Sequence, residues 1–143
     1  MTPNQIDTVR GTWAKVAPIA DQAAVLFYDR LFEIDPTVEP LFGATDMSAQ
    51  RKKLIQVISA AVGGLDRLDE LVPVVEDLGR RHTGYGVTDA HYDSVGAALL
   101  WTLEKGLGAD WTSDTAAAWT ETYTLLADVM RNAARQETAH AAE

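Results

Sequence analysis

The chain has 143 residues, of which 47% are hydrophobic and 23% charged, a composition typical of one folded domain with a buried core. Its net charge of −9 at pH 7 argues against nucleic acid or an anionic membrane as a partner. The absence of cysteine excludes disulfides, thiol catalysis and cysteine-ligated metal centres. We find no secretion signal and no run of ~18 apolar residues, so we expect a cytoplasmic protein.

Apolar residues recur at three- and four-residue spacing along most of the chain, which predicts helices rather than strands. The first two helices are predicted at 5–17 and 21–34. Asp35 and Pro36 then predict a short helix ending near Gly43, because aspartate caps helices and proline suits their first turn. The residues expected to face the core from the first two helices are Ile6, Val9, Trp13, Val16, Val25, Tyr28, Leu31 and Phe32.

Four longer helices complete the predicted fold. Thr88 is expected to cap the third of them, Thr112 or Ser113 the fourth, and the polar residues after the fourth are expected to fray. We therefore predict a single all-α domain over 1–143, with its core at about 4–135 and a polar C-terminal tail. The four helices are predicted at 48–65, 68–81, 89–107 and 114–135.

Three polar side chains lie where the apolar stripes of their helices call for hydrophobic ones. His82 follows Leu78 by four residues, Gln50 precedes Leu54 by four, and the hydroxyl of Tyr28 points into the core. Each has an ordinary explanation, a bond to a backbone carbonyl or to water, since an unpartnered buried polar group costs about 1–3 kcal/mol. Together, on three helices, they suggest a cavity with one nitrogen ligand and two hydrogen-bond donors.

The histidines limit the chemistry of such a cavity. His91 falls in the first turn of its helix, where a capping or solvated role is expected, and His140 lies in the polar tail. A protein-only zinc site needs three or four ligands, whereas haem needs a single histidine because the porphyrin supplies four nitrogens. A serine-hydrolase motif and a phosphate-binding loop are both absent from the sequence.

Three segments, "VLFYDRLFEIDPTVEPLFG", "LGRRHTGYGV" and "AHYDSVGAALL", resemble the globin family. The chain is similar to single-domain bacterial haemoglobins and to the haem domain of flavohaemoglobins, with a neuroglobin-like feature in "LGRRH". The resemblance extends from Trp13 to about Met130. It implies a globin fold of six to eight helices around a pocket for haem b, iron protoporphyrin IX. The chain is too short to include a flavin- and nicotinamide-binding reductase as well.

The resemblance assigns expected roles to individual residues. His82 matches the proximal ligand of the iron, and Tyr28, Gln50 and Leu54 match residues on the distal side, where gases bind. Lys53 matches a position that reaches a haem propionate. The remaining haem contacts are expected to be Phe42, Leu78, Val87, Tyr92 and Val95, while Pro36, Trp13, Trp119 and Tyr123 match structural positions.

One position departs from the pattern of flavohaemoglobins. Ala134 stands where those proteins carry a glutamate that is hydrogen-bonded towards the proximal histidine with the help of a tyrosine, which corresponds to Tyr92 here. A carboxylate behind the imidazole would favour peroxidase-like activation of oxygen. Without it, we expect the Nδ1 hydrogen of His82 to bond to a weaker acceptor, the carbonyl of Leu78.

The resemblance implies reversible binding of O2 at ferrous haem, with high affinity if Tyr28 and Gln50 both donate hydrogen bonds. CO and NO are expected as further ligands, and the protein is expected to be a monomer or a weak dimer. One alternative is an enzyme, a nitric oxide dioxygenase working with a separate reductase. Another is a haem-based gas sensor or a haemless partner-binding module. Reduction of the ferric protein in cell extract would favour the enzyme.

Overall fold

A computed structural model describes the backbone of residues 1–142 and the side chains of residues 1–136. Within that part of the chain the protein has six α-helices and no strand, which confirms the predicted all-α class. Short 3-10 helices connect α1 to α2, follow α2, and follow α5. The α-helices are α1 Pro3–Val16, α2 Ala20–Ile34, α3 Met47–Gly63, α4 Leu68–Gly84, α5 Asp89–Leu107 and α6 Ser113–Ala142; the 3-10 helices are Ala17–Ile19, Pro36–Phe42 and Gly108–Asp110.

Polar side chains cap these helices where the sequence predicts caps. The Asp35 carboxylate accepts a hydrogen bond from the backbone N–H of Thr37 at the start of the Pro36–Phe42 helix. At the start of α5, Thr88 and His91 form a reciprocal capping box, in which Nδ1 of His91 accepts a hydrogen bond from the N–H of Thr88. The expected capping role of His91 is therefore confirmed.

Two helices extend beyond their predicted ends. Helix α4 continues three residues past position 81 to Gly84, because the chain meets no residue that stops a helix before Gly86, whose φ is 89°. The basic side chains of the last turn, Arg81 and His82, also suit the C-terminal end of a helix. Helix α6 continues past position 135 to Ala142, so the backbone of the predicted fraying tail is largely helical. The side chains of 137–143, and with them His140, lie outside the described residues.

The helices enclose two adjoining hydrophobic clusters. The larger lies between α1, α5 and α6, where the rings of Trp13 and Trp119 are 6.1 Å apart and both indoles are buried. The smaller surrounds Tyr28 at the junction of α2, the Pro36–Phe42 helix and α5. Trp13 and Trp119 are therefore structural residues, as expected.

The buried face of α2 is rotated from the predicted one. Val25 is 42% exposed, so its expected place in the core was wrong. Two alanines, Ala23 and Ala24, replace it on the inner face, and small side chains of this kind let a helix approach its neighbour closely. Val25 and Ala24 lie three and four residues before Tyr28, so both are at helical spacing from it. Spacing alone could not show which of the two is buried. The buried residues of α2 are Ala20, Ala23, Ala24, Phe27, Tyr28 and Leu31.

A glycine sets the distance between α4 and α6. A Cβ atom placed on Gly79 would lie 2.5 Å from the backbone oxygen of Met130, far inside van der Waals contact. The two backbones touch here, and α4 packs more extensively against α6 than against any other helix. Gly79 therefore fixes the position of the helix that carries His82.

Candidate functional site

We refer to the space between α3 and α4 as the slot. Only residues 64–67 join the two helices, yet they hardly contact each other: α4 packs on α6, while α3 packs on α2 and α1. Helical spacing places Gln50, Leu54 and Val57 on one face of α3 and Leu78 and His82 on one face of α4. Each of these two faces is apolar apart from one polar side chain, the amide of Gln50 or the imidazole of His82.

The Pro36–Phe42 helix closes one end of the slot. Its Leu41 side chain lies 3.4 Å from where a Cβ on Gly86 would be, so the turn after α4 contacts it directly. Phe42 packs edge-on to Tyr28, with ring centroids 5.6 Å apart. The start of α3 and the end of α4 thus meet at the same end of the slot. Tyr28, Phe42, Leu54 and Val95, all expected at the site, pack in the same cluster.

His82 lies in the last turn of α4 with its tautomer determined by its own helix. Nδ1 of His82 is 2.7 Å from the carbonyl oxygen of Leu78, which confirms the expected partner. Because a carbonyl only accepts hydrogen bonds, Nδ1 carries a hydrogen, and Nε2 is the ring nitrogen left to bind a metal. Over residues 1–136, Nε2 has no hydrogen-bond partner, and no group of three or more acidic or histidine side chains could hold a metal ion.

Tyr28 and Gln50 lie within hydrogen-bonding distance across the α2–α3 interface. The side-chain amide Nε2 of Gln50 donates to the Tyr28 hydroxyl oxygen at 3.2 Å, which leaves the hydroxyl hydrogen free to donate elsewhere. Burial raises the pKa of Tyr28, while the Gln50 hydrogen bond and the Arg51 charge lower it by less. Tyr28 is therefore a protonated, buried donor at neutral pH.

The other expected site residues differ in their surroundings. Lys53 is exposed on α3, and Leu78 and Val87 are half-buried beside the slot. Tyr92 is buried on α5, and its hydroxyl has no hydrogen-bond partner in the described part of the chain. The guanidinium of Arg131 lies 5.2 Å from the Tyr92 ring centre.

Tyr123 holds the backbone near Tyr92. The Tyr123 hydroxyl donates to the Tyr92 carbonyl oxygen at 2.6 Å, and its ring lies against Gly96, where an added Cβ would come within 2.7 Å of it. Tyr123 is therefore a packing residue of α6, as expected, and it ties α6 to α5 at Tyr92 and Gly96.

Sequence reasoning missed the roles of two residues. Val57 is 41% exposed although it is apolar, and it lies seven residues after Gln50 and three after Leu54, which is the signal that places it on the same face. Gly79 is buried within α4, and its role depends on α6. Nothing local to the sequence distinguishes Gly79 from the other glycines of the helices.

Comparison with known proteins agrees with this geometry. The sequence profile of the globin family matches residues 25–130. The chain is 35% identical over 104 residues to a flavohemoprotein of Bacillus subtilis (strain 168), an alignment that covers 71% of this chain and 26% of the flavohemoprotein. It is also 30% identical over 137 residues to neuroglobins of Chaenocephalus aceratus and Dissostichus mawsoni, with 87% of this chain and 86% of each neuroglobin covered.

The chain spans about a quarter of the flavohemoprotein's length and most of each neuroglobin. No helix in the described region is long and apolar enough to cross a membrane. Three observations fit a flat apolar cofactor in the slot, as expected for a haem-binding globin: the separated helices, the exposed apolar Val57, and the unpartnered Nε2 of His82. The match to the family profile and to full-length relatives shows that this chain belongs to the globin family.

Proposed function

We propose that the protein binds O2 reversibly at the iron of haem b held in the slot, with His82 as the proximal ligand and Tyr28 and Gln50 as stabilising donors. The observation that carries the proposal is the Gln50–Tyr28 hydrogen bond. It leaves a buried O–H donor, and helical spacing puts Gln50 on the same face of α3 as Leu54. When bound, the haem supplies a ferrous iron with one coordination position open to a diatomic gas.

His82 supplies the imidazole that would bind the iron. Its Nδ1 hydrogen is bonded to the Leu78 carbonyl, and an alanine side chain at position 134 carries no carboxylate that could replace this acceptor. A neutral acceptor gives the imidazole less anionic character than a carboxylate does. This arrangement favours reversible binding over cleavage of the O–O bond.

Tyr28 and Gln50 act as a chain of donors. Donation from Gln50 to the Tyr28 oxygen polarises the hydroxyl, which makes its hydrogen a stronger donor. One such bond contributes about 1 kcal/mol or somewhat more, which corresponds to roughly tenfold in a dissociation rate. O2 held at a haem iron would gain from these donors because it would be the more polar ligand, whereas CO would gain much less.

Apolar side chains keep water away from the gas. Phe42 and Leu54 pack in the cluster around Tyr28, and with Val57, Leu78 and Val87 they would line the haem pocket. Lys53 is exposed and free to pair with a haem propionate. Exclusion of water and protons slows oxidation of the iron, which a reversible carrier requires.

Two measurements test the proposal. The reduced protein reconstituted with haem b is expected to show a five-coordinate spectrum that shifts on addition of CO, because an amide such as Gln50 is a poor ligand for ferrous iron. Stopped-flow release of O2 from Tyr28→Phe is expected to be roughly tenfold faster than from the wild type, with CO release changed much less. An unchanged O2 release rate in this variant would refute the role of Tyr28.

The similarity to a flavohemoprotein favours one second candidate, dioxygenation of NO to nitrate by the oxygen-bound protein. This reaction oxidises the iron, so turnover requires a reductase. Sustained consumption of NO under air, with a reductase and a reduced nicotinamide cofactor, would support this activity. A single stoichiometric reaction without further turnover would exclude it under those conditions.

A further inference from the structure

Helix α3 is a basic surface on an acidic protein. Arg51, Lys52 and Lys53 follow one another in its second turn, and positions 47–65 contain no acidic residue, although the whole chain has a net charge of −9. We refer to these three residues as the α3 basic strip. Lys52 and Lys53 are exposed, and Arg51 is half-buried.

The cations of the strip are not neutralised by the protein itself. Over residues 1–136, none of the three forms an ion pair, whereas most of the chain's other cations do. Their position near the N-terminal end of α3 is mildly unfavourable for positive charge because of the helix dipole. The paired cations are Arg10, Lys15, Arg30, Arg67, Arg81, Arg131 and Arg135.

The strip lies on the helix that carries Gln50. Arg51 follows Gln50 directly, and the charge of Arg51 acts on the buried hydroxyl of Tyr28. Lys52 lies on the opposite side of α3 from Gln50, since two residues turn a helix by about 200°. A molecule bound to the strip is therefore separated from the slot by about one helix diameter, ~10 Å.

We propose that the α3 basic strip is the docking surface for an acidic one-electron carrier protein that reduces the haem iron. The inference rests on the proposed function, which requires the ferrous state. In this step one electron passes from the reduced carrier to the ferric iron, which becomes ferrous, while the carrier is oxidised by one electron. A compact acidic protein can place its charge against the strip alone, whereas an extended polyanion would also meet the acidic remainder of a surface with net charge −9.

The ionic-strength dependence of reduction is the first test. The probe is a reduced plant-type ferredoxin, which is acidic and transfers one electron, mixed with the ferric haem-loaded globin in a stopped-flow instrument. Two proteins of net negative charge repel, so control by net charge would make the rate rise as salt screens the repulsion. Docking at the strip predicts the opposite, a second-order rate constant that falls between about 10 and 300 mM ionic strength.

A pair of matched variants locates the effect. Lys52→Glu and Lys105→Glu both change the net charge from −9 to −11, but Lys105 lies near the far end of α5, over the Trp101 ring. At low salt, Lys52→Glu is expected to slow reduction by roughly fivefold, the effect of reversing one charge about 8 Å from one carrier charge in water. Lys52→Gln is expected to give about half the logarithmic effect, and Lys105→Glu little change. Equal slowing in the two Glu variants, or a rate that rises with salt in the wild type, would overturn the proposal.

Binding provides a readout that does not depend on electron transfer. Oxidised ferredoxin is titrated into 15N-labelled globin, and shifts of backbone amides are expected in α3 but not near Lys105. Phosphatidylglycerol vesicles test a membrane as the alternative partner. If Lys52→Glu loses vesicle binding but keeps ferredoxin binding, the strip is a membrane-binding surface and the proposal is overturned. The O2 release rate of Lys52→Glu separates the two proposals, because it stays at the wild-type value if only docking is lost. If the wild type binds no O2, the proposed function is refuted, and the ferredoxin titration still tests the strip.

Discussion

The two sides of the slot are held in different ways. On the α4 side, which we propose to be proximal, His82 is oriented by a carbonyl of its own helix, and that helix is pressed against α6 where Gly79 meets the backbone of Met130. On the α3 side, which we propose to be distal, the contact between Gln50 and Tyr28 joins residues 22 positions apart on different helices. The proximal side therefore depends on backbone geometry, and the distal side depends on one hydrogen bond between side chains.

This difference separates the expected consequences of mutation. Changes on the proximal side are expected to affect retention of the cofactor and folding, because α4 has no room to adjust. Changes on the distal side are expected to affect the release of gas while leaving the fold intact, because a side-chain hydrogen bond can be removed without moving either helix. Four predictions test this comparison, in order of decreasing effect.

The largest effect is expected from His82→Ala. Removal of the imidazole takes away the proposed ligand of the iron, so haem retention is expected to be lost and restored in part by added imidazole. His91→Ala is the matched control, because His91 caps α5 and lies outside the slot. Absorption spectra after haem titration and gel filtration measure occupancy. Full occupancy with an unchanged spectrum in His82→Ala would contradict the proximal assignment.

The next effect is a loss of stability in Gly79→Ala. The added methyl group would overlap the Met130 backbone, and backbone cannot move aside as a flexible side chain can. The free energy of unfolding is expected to fall by about 2 kcal/mol or more. Gly63→Ala, at a helical site with no neighbour within 4 Å, is the control and is expected to be neutral or slightly stabilising. Urea denaturation measures the free energy of unfolding of both variants. If Gly79→Ala is as stable as Gly63→Ala, α4 has room to move.

A smaller effect is expected for the distal pair when both members are changed. Gln50→Leu is expected to speed O2 release in the same direction as Tyr28→Phe. In the double variant, the fold increase in the O2 release rate is expected to be smaller than the product of the two single-variant increases. The reason is that Gln50 acts partly through the Tyr28 hydroxyl. Stopped-flow release from the four proteins of the cycle measures this coupling. Simple additivity would show that the two side chains act independently.

The smallest effect concerns stability at high pH. Burial raises the pKa values of Tyr28, Tyr92 and Tyr123 above 10.0, so the folded state holds these protons more tightly than the unfolded state. Their contribution to stability is therefore complete below pH 10 and is lost as the pH rises above it. Tyr28→Phe is expected to show a shallower decline than the wild type in urea denaturation between pH 9 and 12. A decline of the same slope would show that Tyr28 does not contribute.

Local signals in the sequence anticipated much of the proximal side. The bond from His82 to the Leu78 carbonyl follows from their four-residue separation in a helix, and the caps at Asp35 and at Thr88 with His91 involve residues two or three apart. Interactions over such short separations are set by helix geometry. The end of α4 was predicted less well, because only the conformation of Gly86 marks where the helix stops.

The sequence by itself determined the helical class, the main helices and the lone histidine at the end of an apolar stripe, because all of these depend on periodicity and on neighbours within one helical turn. Only the tertiary structure decided that Val25 faces outward, that Gly79 sets the distance between α4 and α6, and that Gln50 donates to Tyr28. These features depend on which helices meet and how closely. Spacing along a single helix carries no information about that distance, because it arises from packing between residues that are far apart in the chain.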